Sequence, residues 1–304
     1  MRQLLFLLFC ASVIGIAQQE GERILFVSDT QQPLWIETFR LRDTGNEQAT
    51  RLIYSAIAND SSAAMLFHLG DITAIGMFDA YWEPFDDFQS HLRIPVHPVL
   101  GNHDYFFIAG LALPQFQKRF HGFSTTTWYT TVINHVAVIA LNSNESQLTD
   151  EEKMLQRRWY HEQLWNLNAD STVSAIIVVC HHSPFTNSTI VSPNKFVQHE
   201  FVTPFMMYDK CKIFISGHAH AYEHFRKNGK EFLVIGGGGG LLHPLMTGAD
   251  ERFQDLFSRT ISPRFFHYSE CTIQKDTIRF TVKALRPDFT GFETADVVSV
   301  PIAR

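Results

Sequence analysis

Short apolar runs that stop abruptly at polar residues recur along this chain. "ILFVS" (24–28) runs into Asp29, "AMLFHL" (64–69) into Gly70-Asp71, and "VHPVL" (96–100) into "GNHD". Further on, "AIIVVC" (175–180) runs into "HHSP" and "KIFIS" (212–216) into "GHAH". Runs of this length, rich in Ile, Val and Phe and bounded by Gly or Pro, predict buried strands.

Helical patterns lie between them. Residues 46–59 place Ala49, Leu52, Ile53, Ala56 and Ile57 on one face, and Phe78, Trp82, Phe85 and Phe88 repeat that spacing. "TDEE" at 149–152 is a capping box, with Thr149 as N-cap and Glu152 three positions on, and it opens a helix that runs to Leu167. "KFVQHEFVTPFMMYD" reads as another helix, interrupted at Pro204. Alternating strands and helices imply parallel pairing and α/β layering. Hairpin signals at Asn134-His135, Asn228-Gly229 and Lys275-Asp276 interrupt the alternation, so the sheet content is mixed. No repeat or linker divides the remainder, which predicts one domain over 18–304.

Composition adds limits. An apolar content of 45% and a charged content of 18% in 304 residues describe a globular chain with an ample core. The net charge of −6 gives no basic footprint for a nucleic-acid groove, and a site for an anion would draw its positive charge from bound cations. At the N-terminus, Arg2, the apolar stretch from Leu4 to Ile16 and "GIA" at 15–17 read as a signal peptide over 1–17, hence a secreted or periplasmic protein. No apolar run is long enough for a transmembrane segment in the mature chain. Cleavage leaves Cys180, Cys211 and Cys271, without the spacing of a cysteine zinc site. Export permits one disulfide, for which Cys211 and Cys271 are the candidates; Cys180, inside an apolar run, reads as a buried thiol.

In α/β sheets the carboxyl ends of the strands gather on one edge, where ligands bind. Asp29, Asp71, Asn102, His103, His182, His218 and His220 would therefore converge. One such cluster is an ordinary turn; five at equivalent strand ends point to a site. Leaving His103 aside, two carboxylates, one amide and three imidazoles, with no thiolate, suit hard-to-borderline metal ions and outnumber the needs of one. A carboxylate shared by two cations holds them about 3.5–4 Å apart, the span that clamps a phosphoryl group.

The motifs Asp29-Thr30-Gln31, Gly70-Asp71, Gly101-Asn102-His103-Asp104, His182-Ser183-Pro184 and Gly217-His218-Ala219-His220 follow an order that resembles the calcineurin-like metallophosphoesterases, closest to the branch containing purple acid phosphatases. The resemblance covers 29–220 and extends to the glycine run 236–240. It implies a four-layer α/β/β/α sandwich with two mixed sheets, and two metal ions drawn from Fe, Mn and Zn. It implies a hydrolase that cleaves a small-molecule phosphomonoester by attack of a hydroxide held on the metals. Phosphodiesters, including nucleotides and lipid head groups, are the alternative substrates, and a catalytically silent metal- or phosphate-binding module is the alternative of another class.

By the same resemblance, Asp71 bridges the ions, Asp29 and His220 hold the first, and Asn102, His182 and His218 hold the second. The H-x-P spacing selects His182 over His181, because consecutive residues on an extended chain point opposite ways. His103 protonates the leaving alkoxide or orients the phosphate, and Asp104 sets its tautomer. Gln31 either ligates the first ion or faces substrate or water. His224 matches no motif position, while His199, His243 and Tyr105 are loop candidates for phosphate or leaving-group contacts. Ala74 stands where purple acid phosphatases carry their iron-binding tyrosine, so that chromophore is not carried over.

Overall fold

The computed structural model describes residues 23–123, 126–257 and 261–302; the signal-peptide reading over 1–17 lies outside them. In chain order the strands are β1 (Arg23–Val27), β2 (Ala63–His68), β3 (Val96–Pro98), β4 (Tyr129–Ile133), β5 (Val136–Ala140), β6 (Ala175–Cys180), β7 (Cys211–Ser216), β8 (Tyr222–Lys227), β9 (Lys230–Ile235), β10 (His267–Ile273), β11 (Thr277–Leu285) and β12 (Phe292–Pro301). The longer helices are α1 (Asn46–Ala58), α2 (Glu83–His91), α3 (Ala109–Arg119) and α4 (Asp150–Ala169). One sheet has the order β12-β11-β10-β1-β2-β3 and the other β4-β5-β6-β7-β9-β8. Both are mixed. β1, β2 and β3 run parallel in the first, and β5, β6, β7 and β9 run parallel in the second.

The two-residue period of a strand builds the layers. From β1 and β2, Ile24, Phe26, Met65 and Phe67 meet Val138, Ile177, Ile213 and Leu233 of the opposite sheet and form the central core. Their neighbours Leu25, Val27 and Leu66 face the other way, under Ile53 of α1, Phe85 of α2 and Phe116 of α3. On the second sheet Ile139, Val178 and Phe214 pack against Tyr160 and Leu164 of α4 and against Phe201 and Phe205 of the helical stretch 195–205. The result is the four-layer α/β/β/α sandwich. Each fully buried side chain of this kind contributes about 1.5–3 kcal/mol.

Local signals explain the boundaries. Glu152 N–H donates to Thr149 Oγ1 at 3.2 Å and Thr149 N–H to Glu152 Oε2 at 2.8 Å, closing the capping box of α4. Asn134 and His135, and Asn228 and Gly229, have positive φ in both central positions, as tight hairpins require. Phe78 is not on the helix its spacing suggested: it is extended and exposed, and the chain turns helical only from Asp79. The stretch 195–205 breaks upstream of Pro204, with a π turn over Gln198–Val202, because Pro204 has no N–H for the carbonyl four residues back. The Cys211–Cys271 bridge does not form. All three described cysteines are free, and Cys211 packs in the outer core of the second sheet while Cys271 lies between the sheets. Among the described residues no helix is long and apolar enough to cross a membrane.

Candidate metal centre

The five strand ends come from both sheets, three from the first and two from the second, and they meet at one edge. Asp29, Asp71 and His218 each leave their strands with φ of 59°, 51° and 65°. Left-handed backbone at residues other than glycine costs about 1–3 kcal/mol each. The turns hold one another in place. Asp29 N–H donates to Gly70 C=O at 3.0 Å, Thr30 N–H to Asp71 C=O at 3.0 Å, Gly217 N–H to His181 C=O at 2.9 Å and Gly240 N–H to Asp29 C=O at 2.8 Å. Packing is tight enough that a Cβ on Gly101 would lie 2.2 Å from Asp71 Oδ1, and one on Gly217 2.4 Å from Asp29 Oδ2. Only glycine lets the carboxylates sit there.

Two donor groups result. Asp29, Asp71 and His220 place ligand atoms within 4.8 Å of one another, and so do His181, His182 and His218. In the first group His220 Nε2 is 3.4 Å from Asp29 Oδ1. His220 Nδ1 lies 2.8 Å from Leu241 C=O, and as its donor leaves Nε2 with a lone pair facing the site. Gln31 Nε2 lies 3.2 Å from that nitrogen, and Gln31 Oε1 is buried without a hydrogen-bond partner. In the second group His181 donates from Nδ1 to Leu69 C=O at 2.9 Å. Its Nε2 faces Asn102 Oδ1 at 3.1 Å, His218 Nδ1 at 3.2 Å and Asp71 Oδ2 at 3.3 Å.

So many acceptors pointing at one another demand a positive charge. In the protein alone a proton supplies it: burial pulls His181 down, but Asp71 outweighs that and holds it at about 9. Burial alone would raise Asp71, yet the His181 and His103 imidazoles bring it well below the usual carboxylate range. His182 is pushed down to about 3 by burial and by the His181 charge, and His218 goes well below its ordinary value through burial and both neighbouring imidazoles. A nest of oxygen and imidazole donors with an orphaned amide oxygen at its edge fits a pair of hard-to-borderline cations.

His103 lies at the rim. Its backbone N–H donates to Asp71 Oδ1 at 2.7 Å. Its Nδ1 donates to Ala74 C=O at 2.9 Å, which leaves Nε2 facing outward, 4.0 Å from Glu37 Oε1. The tautomer is therefore set by a backbone carbonyl and not by Asp104. The Asp104 carboxylate instead accepts from the backbone N–H groups of Asp71 (3.0 Å), Ile72 (2.9 Å), Thr73 (3.3 Å) and Gly101 (2.8 Å). It joins the two turns that carry Asp71 and Asn102. Burial and the Asp71 charge push Asp104 up to about 7 against those hydrogen bonds.

Every residue expected at the edge is there, with one exchange of emphasis. The imidazole that faces Asp71, Asn102 and His218 is that of His181. His182 turns its Nδ1 to Ser143 Oγ at 2.9 Å, and its ring lies tilted beside that of His218, centroids 4.5 Å apart. Of the loop candidates, Tyr105 is buried and takes a hydrogen bond from Asn142 Nδ2, and His199 is exposed on the helical stretch 195–205. His243 stacks on His220 at 4.3 Å and accepts its backbone N–H at 3.2 Å. No motif spacing marks His243; its nearness to the glycine run was the one available hint. His224 sits on β8 and pairs with Glu231 at 2.9 Å, away from the donor groups.

The model of the calcineurin-like phosphoesterase family matches residues 22–222, and the chain belongs to that family. Among solved structures it is similar to a purple acid phosphatase, PPD1, from yellow lupin (Lupinus luteus), with 14% identity and a TM-score of 0.64 over 93% of this chain and 54% of that one. It is similar to a dimetal phosphatase from Danio rerio, with 13% identity and a TM-score of 0.61 over 94% and 100%. It is also similar to GAP50, described as the anchor in the inner membrane complex of Plasmodium, with 14% identity and a TM-score of 0.67 over 93% and 89%. No curated protein sequence matches significantly.

Proposed function

We propose that this chain is an exported two-metal phosphoesterase that hydrolyses phosphomonoesters, with the mature domain beginning at residue 18. Asp71 is the shared ligand. Asp29 and His220 hold the first ion, with Gln31 Oε1 as the further donor. Asn102, His218 and His181 hold the second, His181 taking the place that H-x-P spacing gave to His182. Bound cations drawn from Fe, Mn or Zn would supply Lewis acidity and a lowered pKa for water, worth several kcal/mol of charge stabilisation. His103 offers Nε2 to the leaving alkoxide, the protein's own proton-carrying group at the rim. Asp104 fixes the turns and touches no substrate.

The observation that carries this reading is the His181 Nε2 atom, ringed at 3.1–3.3 Å by an amide oxygen, an imidazole nitrogen and a carboxylate oxygen. The experiment is elemental analysis of the purified protein together with a panel of phosphate esters assayed with and without chelator. Two equivalents of metal and chelator-sensitive hydrolysis of para-nitrophenyl phosphate are expected, with Asp71→Asn losing both. Faster turnover of the bis(para-nitrophenyl) diester would replace the monoester reading with a diester one. The likeness to GAP50, whose description is that of an anchor, motivates a test for a silent binding module; stoichiometric metal without hydrolysis of any ester would favour that role.

A further inference from the structure

Two loops meet at His103, and both carry large apolar side chains into solvent. On the first, Trp35 (73% exposed), Ile36 (59%) and Phe39 (79%) flank Glu37, whose carboxylate stands 4.0 Å from His103 Nε2. On the second, Phe106 lies 5.4 Å from the His103 ring and 4.7 Å from Phe107, and Phe107 (69%) and Ile108 (53%) follow it outward. Trp35 and Phe39 meet edge to face at 5.7 Å. Phe107 keeps φ at 71°, a left-handed conformation that a bulky residue adopts only at a cost. Single exposed apolar residues are ordinary, but several on two loops beside a candidate site mark a binding surface. Glu37 and Phe106 bring the two loops to His103, the residue assigned to protonate the leaving oxygen, so the alcohol part of the substrate would emerge beside these loops.

We propose that the preferred substrates are phosphate esters of an apolar alcohol, a chain or ring of lipid character, which lies on the Trp35–Phe39 and Phe106–Ile108 loops while the phosphate occupies the metal centre. This deepens the phosphoesterase reading and rests on it. Within the first loop Thr38 Oγ1 is turned back to Trp35 C=O at 2.6 Å, and the Glu37 charge repels a further phosphate beside His103. Free amphiphiles and lipids in a bilayer present the same chemistry to the loops.

The test compares glycerol 1-phosphate, octyl phosphate below its critical micelle concentration, and phosphatidate in phosphatidylcholine vesicles, each with the metal-loaded protein. Octyl phosphate or phosphatidate is expected to exceed glycerol 1-phosphate at least tenfold in kcat/KM, mainly through KM for the soluble pair. Whichever of the two leads identifies the source. The double variant W35A/F107A, altered only at exposed positions, is expected to reduce that ratio at least fivefold. Trp165→Ala, equally exposed but on α4, is expected to keep it. Equal kcat/KM on all three substrates, or a ratio unmoved by W35A/F107A, overturns the inference while leaving the phosphoesterase intact. No turnover of any of them overturns the phosphoesterase reading itself.

Discussion

Replacing His181 and His182 one at a time separates two neighbours that a motif cannot. The His181 imidazole has three donor contacts at 3.1–3.3 Å, whereas His182 is held by Ser143 and lies tilted beside the His218 ring. Four-donor sites bind zinc with about 10–16 kcal/mol, so one donor is worth about 2.5–4 kcal/mol, or about 10²–10³ in affinity. An outer partner of a ligand is worth about 10–100-fold, and His182 is placed near the low end because Ser143 Oγ already engages its Nδ1. The assay is metal content after dialysis against a fixed free concentration, read beside kcat/KM on para-nitrophenyl phosphate. His181→Ala should drop from two equivalents towards one and lose turnover; His182→Ala should keep two at saturating metal. His181 is buried and His182 half-buried, so circular dichroism of the metal-free variants checks folding first. If His182→Ala sheds metal while folded His181→Ala retains it, the second site has been built on the wrong imidazole.

His103→Ala should keep both metals and lose about 10²–10⁴ in kcat, the usual weight of a positioned proton donor; loss of metal would show that His103 does more than carry a proton. Because Ala74 cannot supply a phenolate, the iron-loaded protein should lack a strong tyrosinate band in the visible spectrum, and a purple sample would refute the assignment of the first site. His224 gives a pH signature. Burial pulls its imidazole down, but Asp296 and Glu231 outweigh that and move it from 6.5 to about 9. A raised histidine contributes stability that is full below 6.5 and is lost as pH rises through about 9; at about 1.4 kcal/mol per pH unit the ceiling is about 3 kcal/mol. Urea titrations at pH 7 and pH 9.5 should show wild type losing more stability than His224→Gln over that interval. Equal losses would mean that the pair with Glu231 and Asp296 is not charged.

Strand ends were legible because burial on both faces leaves an unmistakable apolar run, and each run ended where the candidate donor side chains begin. Which sheet a strand joins was not legible: β2 and β6 have the same kind of sequence, and only tertiary packing separates them. Side-chain alternation does not decide between His181 and His182, for a local reason. Side-chain alternation holds only while the chain stays extended, and β6 ends at Cys180. Beyond it the chain turns, both rings fall on the same side, 5.0 Å apart, and the parity rule no longer applies. Asp104 was read as a partner of His103 because they are adjacent. The 3₁₀ turn over His103–Tyr105 carries its carboxylate back under the backbone instead. The true partner of the His103 ring, the Ala74 carbonyl, belongs to a group that every residue possesses, so sequence could not reveal it.

The left-handed turns bear on how the centre works. Asp29, Asp71 and His218 each accept about 1–3 kcal/mol of backbone strain, and glycine at any of these positions would remove it. Glycine would also remove the donor. The same left-handed turn that strains the backbone at the end of each strand re-aims the next bond inward, so backbone strain and the aim of the candidate donor cannot be separated at these three positions. Neighbouring turns hold the arrangement through their own hydrogen bonds, including the four that Asp104 accepts and the two from His218 N–H to the Asp29 carboxylate at 2.9 and 3.1 Å. The donors are therefore positioned by the fold before any cation arrives. Binding would not meet the cost of ordering flexible side chains, and a cation would take over the charge balance that the His181 proton provides in the protein alone.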